Sequence, residues 1–371
     1  MERTKIIAYY LPQYHQIPEN DKWWGEGFTE WVNVKKATPL FEGHYQPRIP
    51  LNYNYYDLSD TETLKWQASI AKEHGIYGFC FYHYWFYEKP LLEKPLYNFL
   101  NNDDIDINFC FCWANESWTN AWSSSDRTTI MEQKYGDKDE WKRHFDFMLP
   151  FLKDHRYIKE DNKPLLVIYR PYLCKDMINI LEYWKKLAIE NGFDGLKVAS
   201  QRFEEPDKEK ELFDYLDYHI EYQPDYDKCH LSGNDTFIAK MKGYIKQLLL
   251  DKLNIDLHLY KKNRVPLIFS YDEMWDNIIR SKPISEKAIA GAFVDWDNTP
   301  RHGNRGSCFQ GVTPEKFGKY LAEQIDHVDN EYNNDYLFIF AWNEWGEGGY
   351  LEPDVRYKYA YLNEIKKALV R

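Results

Sequence analysis

The chain has 371 residues and a formal net charge of −12, with 47 Lys and Arg against 59 Asp and Glu. A chain this acidic repels phosphate backbones and anionic lipid headgroups, so we expect no nucleic-acid partner and no membrane insertion. No apolar run reaches the roughly 18 residues of a membrane-spanning helix, and Met1–Lys5 leads into no signal-peptide apolar region. These features predict a soluble, cytoplasmic protein.

Eight short runs rich in apolar, β-branched and aromatic residues recur along the chain and predict eight strands. They are Ile6–Tyr10, Tyr77–Tyr82, Ile107–Cys112, Leu165–Tyr169, Leu196–Ala199, Tyr218–Ile220, Ala290–Val294 and Tyr336–Phe340.

Segments with a repeat of about 3.6 residues lie between most of these strands and predict helices. The first follows Asp60 as its N-cap and ends at Gly75. The others are Trp141–Leu152, Met177–Ala188, Phe237–Leu250, Thr313–Val328 and Arg356–Leu369.

Alternating strands and helices, with no dinucleotide-binding glycine fingerprint after the first strand, favour a (β/α)8 TIM barrel over a doubly wound sheet. No linker or internal repeat divides the sequence. We therefore predict one catalytic domain over residues 1–371, with long βα loops at 11–59 and 221–290, where functional segments are common.

Aromatic rings, amides and carboxylates collect where these predicted strands end, and Phe, Trp and Tyr together make up 18% of the chain. Rings of this kind stack on the C–H faces of sugars, which favours a carbohydrate cleft. The predicted substrate-binding residues from this pattern are His83, Trp85, Trp113, Asn115, Glu116, Tyr169, Trp296, Asp297, Trp342 and Asn343. For His83, a buried structural role is an equal alternative.

Glu344 and Glu347 lie three residues apart directly after the last predicted strand, in a segment rich in Trp and Gly. Glycosidic bond cleavage requires two neighbouring carboxylates, one as proton donor and one as base or nucleophile. We predict that these two glutamates are the catalytic pair. In the alternative assignment, Glu116 of the Asn115-Glu116 segment pairs with Glu344.

Other catalytic patterns are absent from the sequence, which contains no P-loop, no HExxH, no GxSxG elbow and no Cys or His cluster with zinc spacing. We predict no cofactor and no metal. Four Asp-x-Asp pairs occur, and one of them, Asp295 and Asp297, follows a predicted strand. Such a pair can hold a divalent ion against a sugar nucleotide.

Six segments that span nearly the whole chain carry a resemblance to a known family. They are Tyr10–His15, Trp24–Trp31, Phe81–Phe86, Trp113–Glu116, Asp295–Arg301 and Trp342–Gly348. With them, the sequence resembles the bacterial proteins named after WbsX, a polysaccharide-cluster glycosyltransferase, and described as glycoside hydrolase family 99-like. The matching segments add Tyr10, Glu30, Trp31 and Arg301 to the predicted substrate-binding residues.

The resemblance implies a function. Family 99 contains endo-acting α-mannosidases with a (β/α)8 barrel and a catalytic pair in an Asn-Glu-Trp-x-Glu-Gly motif, which residues 343–348 match. It implies that Glu344 acts as base toward the substrate 2-hydroxyl and Glu347 as general acid/base, with retention through a 1,2-anhydro sugar.

We therefore predict a glycoside hydrolase that acts on a mannoside-like α-bond in a bacterial polysaccharide or oligosaccharide. Proteins of the WbsX type are often encoded with polysaccharide-assembly genes, which keeps a glycosyltransferase open as an alternative. The third alternative is a carbohydrate-binding protein without catalytic activity.

Overall fold

The computed structural model describes residues 4–119, 128–203, 209–227 and 265–370. Eight strands form its central sheet: β1 (Lys5–Tyr10), β2 (Ile76–Phe86), β4 (Asn108–Trp113), β8 (Lys163–Ile168), β9 (Lys197–Ser200), β10 (Tyr218–Ile220), β12 (Ala288–Phe293) and β14 (Tyr336–Phe340). They pair in parallel in the order β1–β14–β12–β10–β9–β8–β4–β2, and β2 pairs back to β1. The sheet is thus a closed barrel, and the predicted (β/α)8 fold is confirmed.

Within the described ranges, eight short strands lie outside the barrel: β3 (Lys89–Leu91), β5 (Trp118–Thr119), β6 (Thr129–Met131), β7 (Lys159–Glu160), β11 (Leu267–Ser270), β13 (Ser307–Gln310), β15 (Asn343–Glu344) and β16 (Gly349–Tyr350). The α-helices are α1 (Pro18–Trp24), α2 (Glu30–Lys36), α3 (Thr61–Glu73), α4 (Lys94–Leu100), α5 (Lys138–Lys153), α6 (Met177–Glu190), α7 (Lys210–Tyr215), α8 (Tyr271–Arg280), α9 (Thr299–His302), α10 (Pro314–Glu331) and α11 (Ala360–Leu369). Each of the first seven barrel strands is followed by a helix that returns the chain to the start of the next strand, and another helix follows the eighth. In chain order these helices are α3, α4, α5, α6, α7, α8, α10 and α11.

The barrel strands are apolar along their whole length because both of their faces are buried, one inside the barrel and one under the helices. In β1, Ile6 to Tyr10 have no exposed surface. The helices bury a single stripe instead, which is why their apolar residues repeat every three or four positions. The side chain of Asp60 accepts a hydrogen bond from the Glu62 N–H and caps α3 as predicted.

Two of the predicted helices do not coincide with helices of the structure as described. The predicted helix from Arg356 is wrong at its start, because α11 begins only at Ala360. Lys358 has a φ of 51°, in the left-handed region, and a right-handed helix cannot include it. The predicted helix Phe237–Leu250 lies outside the described residues.

The long connection after β1 contains α1 and α2 and reaches the far end of the chain. The Asn343 side chain accepts a hydrogen bond from the Leu11 N–H at 2.7 Å and donates one to the Leu11 carbonyl at 2.9 Å. This double contact fixes the first βα loop against the residues that follow β14, and it places α2 beside Glu344 and Glu347.

Candidate active site

A cleft of about 330 Å³ opens at the carboxyl ends of the barrel strands. This is within the size range of small-molecule sites, and the carboxyl end of the strands is where barrel enzymes carry their chemistry. Every barrel strand, or the connection that follows it, contributes to the wall. The lining residues are Leu11, Gln13, Trp24, Glu30, Tyr82, Tyr84, Ala114, Glu116, Ser117, Trp118, Thr119, Tyr169, Arg202, Tyr222, Trp296, Arg301, His302, Glu344 and Glu347.

Glu344 and Glu347 flank one tight turn after β14. Glu344 ends β15, which pairs with β16, and residues 345–347 form a single 3₁₀ turn between the two strands. Gly348 follows with a φ of 70°, which glycine adopts without steric cost. The turn brings both carboxylates to the cleft, where the two side chains are 7% and 20% exposed.

Arg301, on α9, joins both glutamates to a third carboxylate. Its Nη1 donates to Glu347 at 2.5 Å, and its Nη2 donates to Glu344 at 3.4 Å. Its Nε and Nη2 also lie 3.2 and 3.1 Å from Oε2 of Glu30, which is almost fully buried on α2. One positive charge therefore faces three carboxylates.

The electrostatics of the glutamate pair follow from burial and from this shortage of positive charge. Burial raises the pKa of Glu344, and the charge of Glu347 raises it further, while Arg301 opposes both effects. Burial also raises the pKa of Glu347, with Arg301 as the strongest opposing influence. Because Glu347 has the shorter contact with Arg301, we expect Glu344 to hold the proton of the pair in the free site.

The ring of Tyr169, after β8, forms another part of the wall, and two ion pairs lie beside it. Arg170 lies 3.0 Å from Glu116, and Arg202 pairs with Asp225. The ring of Tyr169 lies between the two guanidinium groups, at 5.0 and 5.1 Å. A wall of ring faces and charged hydrogen-bonding groups is suited to the C–H faces and hydroxyls of a sugar.

Asp297, four residues after β12, supports the turn that carries Glu344 and Glu347 from behind. Its backbone N–H donates to the Glu347 carbonyl at 2.6 Å. Its carboxylate accepts hydrogen bonds from His44 Nε2, Gln46 Nε2 and the Thr299 hydroxyl. Burial alone would raise the pKa of Asp297, but these bonds and Arg48 lower it to about 2.

Arg48 completes this support. Its Nη2 lies 2.7 Å from Asp295 and 3.7 Å from Asp297, and its Nη1 donates to the Gly348 carbonyl at 3.2 Å. The aspartates after β12 are therefore bound by side chains of the first βα loop and do not line the cleft. Asp297, predicted as a substrate-binding residue, thus lies buried behind the cleft wall.

Seven of the predicted site residues line the cleft, and the structure brings them together from five of its βα connections. They are Glu30, Glu116, Tyr169, Trp296, Arg301, Glu344 and Glu347. Nine others are buried and do not line it: Tyr10, Trp31, His83, Trp85, Trp113, Asn115, Asp297, Trp342 and Asn343.

Strand alternation explains the misplaced residues on β2. His83 Nε2 lies 2.8 Å from His144 Nε2, and Trp85 Nε1 donates to Glu140, so both side chains face α5. Tyr82 and Tyr84, one position before each of them, face the cleft instead. The two predicted residues, His83 and Trp85, therefore lie on the face of β2 that points away from the cleft.

Other buried residues support the wall through hydrogen bonds. The Tyr10 hydroxyl donates to Gln67 of α3. The Asn115 side chain accepts from the Arg170 N–H and donates to the Arg170 carbonyl, which ties two βα connections together. The indole of Trp31 packs 5.7 Å from that of Trp345. These contacts hold the loops in place, and the side chains that make them do not line the cleft.

The cleft residues that were not predicted from the sequence are Leu11, Gln13, Trp24, Tyr82, Tyr84, Ala114, Ser117, Trp118, Thr119, Arg202, Tyr222 and His302. Several of them belong to segments that the analysis had already singled out. The alternation rule applied to β2 would have offered Tyr82 and Tyr84 as the second possible face. No sequence pattern indicates the positions of Trp24 and Trp118, which come from connections outside the barrel.

Among the described residues, one group of possible metal ligands has its ligand atoms within 4.8 Å of one another: His44, Asp297 and Cys308. His44 already bonds to Asp297 at 2.8 Å, and Arg48 lies beside it, so this group makes a poor cation site. The part of the chain that the structure describes contains no helix long and apolar enough to cross a membrane.

A family model described as "Glycosyltransferase WbsX" matches residues 6–365. The chain belongs to the WbsX glycosyltransferase family. Two curated relatives, both named WxcX and both from Xanthomonas campestris pv. campestris, are 33% identical to it over 374 and 370 residues. The matches cover 99% of this chain and 50% of each relative, so this WbsX-family chain spans about half the length of the curated relatives it matches.

Solved structures share the fold of this WbsX-family chain at low sequence identity. The GH99 endo-α-mannosidase from Bacteroides thetaiotaomicron aligns with a TM-score of 0.54 and 14% identity, covering 98% of this chain and 96% of that one. A glycoside hydrolase-like protein aligns with a TM-score of 0.57 and 11% identity, covering 100% and 94%. At such identities the likeness establishes the barrel fold alone.

Proposed function

We propose that this chain is a retaining glycoside hydrolase that cleaves a mannoside-like α-bond in a bacterial polysaccharide or oligosaccharide. The observation that carries the proposal is the pair Glu344 and Glu347, bound to one guanidinium at the base of an aromatic cleft. The fold shared with a GH99 endo-α-mannosidase supports the choice of bond.

The shared guanidinium supports retention. The Glu347 carboxylate contacts one terminal nitrogen of Arg301 and the Glu344 carboxylate contacts the other, so the guanidinium holds the two carboxylates close together. An inverting site instead separates its carboxylates by about 6.5–9.5 Å to admit a water molecule on the opposite face of the sugar. The site is therefore better suited to attack from within the substrate than to direct attack by water.

In the proposed reaction, Glu344 takes the proton of the 2-hydroxyl, and the resulting oxygen attacks carbon 1. Glu347 gives a proton to the departing oxygen, so that a 1,2-anhydro sugar forms. Water then opens this ring, with Glu347 accepting the proton of the water and Glu344 returning a proton to the 2-oxygen. The substrate must carry its 2-hydroxyl trans to the leaving group.

These roles require an ionised Glu344 and a protonated Glu347, whereas the contacts of the free site favour the opposite distribution. Arg301 binds Glu347 more closely than Glu344. The proton must therefore pass from Glu344 to Glu347 when substrate binds. If the proton stays on Glu344, then Glu344 is the general acid. The variants Glu344→Gln and Glu347→Gln decide between the two, because loss of the general acid slows substrates with poor leaving groups most.

The family description favours one competing function, a glycosyltransferase. A transferase that uses a sugar nucleotide and a divalent ion would need free carboxylates, and Asp295 and Asp297 were its candidates. Both are buried and bound to Arg48, and the Asp297 carboxylate accepts four further hydrogen bonds. The geometry around these aspartates therefore favours the hydrolase.

A product analysis tests the proposal. The protein is incubated with a panel of α-linked bacterial oligosaccharides, with and without sugar nucleotides, and the products are read by mass. We expect shortened oligosaccharides without nucleotide, and none with the double variant Glu344→Gln/Glu347→Gln. Products longer by one sugar, formed only with nucleotide, would establish the transferase instead.

A substrate analogue tests the mechanism separately. A 2-deoxy analogue of a cleaved substrate should bind in the same cleft and remain intact, because it lacks the oxygen that attacks carbon 1. The anomeric proton, followed by NMR in the first minutes, should show release of the retained anomer. Rapid cleavage of the analogue, or initial release of the inverted anomer, would contradict the anhydro-sugar route.

A further inference from the structure

Glu30 is held at the centre of the site although it lies far from the catalytic turn in sequence. Two nitrogens of Arg301 converge on one of its carboxylate oxygens, at 3.1 and 3.2 Å. Its backbone N–H donates to the Gln13 carbonyl, which fixes the start of α2 to the loop after β1. Glu30 thus occupies one edge of the guanidinium, and the catalytic glutamates are limited to its two terminal nitrogens.

We propose that Glu30 is a positioning residue that engages Arg301 and thereby keeps one proton resident on the pair Glu344 and Glu347. The inference rests on the proposed function, because it assigns a task to a third carboxylate of the same site. It gives the site a ready source for the proton that leaving-group departure requires.

Counting charges leads to this inference. Three ionised carboxylates around one guanidinium would leave two uncompensated negative charges in a nearly closed cluster. Uncompensated like charges out of water are costly, and a cluster of this kind takes up a proton instead. Without the charge of Glu30, Arg301 would neutralise much more of the pair, and the proton would be held less firmly.

Among the described residues, the other groups that face the cluster do not make up the missing positive charge: Arg202 lowers the pKa of Glu347, but its partner Asp225 raises that pKa by more. Burial raises the pKa of four tyrosines around it, which stay neutral: Tyr14, Tyr82, Tyr84 and Tyr222. Burial, and then the charges of Arg301 and Arg305, lower the pKa of His302 to about 4, so it is neutral as well. Two further arginines of the wall have their own acidic partners, Arg202 with Asp225 and Arg170 with Glu116.

Gly346 shows how closely the catalytic turn approaches the Glu30–Arg301 contact. A Cβ atom at this position would lie 2.5 Å from Oε2 of Glu30 and 3.0 Å from Nε of Arg301. The backbone between the two catalytic glutamates therefore runs directly against the third carboxylate. A change in the charge of Glu30 therefore acts on the pair over a short distance, both directly and through Arg301.

Carbon-13 NMR of protein labelled at the glutamate carboxyl carbons measures the resident proton without a substrate. Spectra of Glu344→Gln and Glu347→Gln assign the two signals, which are then titrated from about pH 4 to about pH 9. In the wild type we expect one titration of the pair to lie above neutrality. In Glu30→Gln this titration should fall by about one pH unit or more, because a negative charge beside the pair is gone.

Glu221→Gln is the matched control. Glu221 is also buried, its pKa is raised to about 7, and it accepts hydrogen bonds from the Tyr332 hydroxyl and the Ile284 N–H, away from the cleft. Its loss should leave the pair's titration in place. Glu30→Asp, which restores the charge, should move the titration of the pair back toward the wild-type value.

An unchanged titration in a folded Glu30→Gln protein would overturn the inference, as would an equal shift in Glu221→Gln. If Glu30→Gln does not fold, the wild type alone decides, because a pair that is fully ionised at neutral pH excludes a resident proton. If the titrations are as expected but the protein hydrolyses no glycan, the role of Glu30 is upheld and the proposed hydrolase function is contradicted. Where activity is present, the alkaline limb of kcat/KM should move to lower pH in Glu30→Gln.

Discussion

Two buried acidic clusters lie back to back at the carboxyl end of the barrel, and they differ in how completely their charges are satisfied. Behind the catalytic turn, the Asp297 carboxylate accepts from His44, Gln46 and Thr299 and has Arg48 beside it. In front of the turn, three glutamates share Arg301. The rear cluster is saturated with donors, and the front cluster is short of them.

This difference separates supporting residues from reacting ones. The donors around Asp297 overcome the effect of burial and lower its pKa to about 2, so it remains an acceptor at any physiological pH. In the front cluster burial and like charges prevail, and the pKa of Glu344 is raised. A carboxylate that readily gains and loses a proton can catalyse proton transfer, whereas a saturated one can only hold a loop.

The largest expected effect is on turnover in the front cluster. Glu347→Gln should reduce kcat for substrates with poor leaving groups by about 10²–10⁴, because it removes protonation of the departing oxygen, and binding should be nearly unchanged. Glu344→Gln should be at least as damaging. Steady-state kinetics with a series of leaving groups measures both effects.

The matched comparison for this prediction is Glu116→Gln. Glu116 lines the cleft and is paired with Arg170, so its neutralisation should act mainly on KM. Near-normal hydrolysis by both Glu344→Gln and Glu347→Gln would contradict the proposed pair and favour the alternative that couples Glu116 with Glu344.

The next effect is on stability, and it should have opposite signs in the two clusters. The pKa of Asp297 is lowered on folding, so its contribution is present above its unfolded value near 3.9 and is lost as the pH falls toward 2. Asp297→Asn should therefore cost about 2–3 kcal/mol at neutral pH. The pKa of Glu344 is raised, so its ionisation opposes folding increasingly as the pH rises above about 4.3, and Glu344→Gln should stabilise the protein at neutral pH.

Urea unfolding midpoints measured at several pH values test both signs. In Asp297→Asn, the loss of stability that the wild type shows as the pH falls toward 2 should be smaller. In Glu344→Gln, the loss of stability as the pH rises above about 4.3 should be smaller than in the wild type. A decrease in stability for both variants at neutral pH would show that both carboxylates stabilise the folded protein, and would contradict the difference between the two clusters.

A smaller effect is expected from Gly346→Ala. The new methyl group would meet the Glu30 carboxylate and the Arg301 Nε, which cannot move without disturbing the pair, so we expect kcat to fall by about tenfold or more. Gly318→Ala is the control, because its Cβ would also meet a carboxylate, that of Glu364, but at the buried contact between α10 and α11, away from the cleft. Equal losses in both variants would indicate general instability.

Most of the barrel could be predicted from the sequence, because strands buried on both faces leave continuous apolar runs. Tyr218–Ile220 and Tyr336–Phe340 were predicted with the observed bounds. Errors arose where tertiary pairing changes a boundary. β2 continues to Phe86 because its last residues pair with β3, outside the barrel.

The site was predictable only in part, for a similar reason. The spacing of Glu344 and Glu347 is local and can be read from the sequence. The contact of Arg301 with Glu30 joins residues 271 positions apart, and no local pattern reports it. Strand alternation gives two faces without saying which one meets the cleft, so His83 and Trp85 were chosen where Tyr82 and Tyr84 line the wall.

The smallest expected effect is that of a chelator, and it returns to the rear cluster. The Asp-x-Asp pattern of Asp295 and Asp297 is the sequence feature that a metal-dependent transferase would use. In the structure, however, Oδ2 of Asp297 accepts from His44 at 2.8 Å and from Gln46 at 2.7 Å, and the Arg48 guanidinium lies 3.7 Å away.

A divalent ion at these aspartates would have to displace both donors and remain beside a fixed positive charge, which is unfavourable. Acid/base cleavage by the front cluster, in contrast, needs no ion. Activity should therefore be unchanged by EDTA and by added Mn²⁺ or Mg²⁺. Loss of activity on chelation, restored by Mn²⁺ only together with a sugar nucleotide, would mean that the rear cluster opens to take a donor, and the chain would then be a transferase.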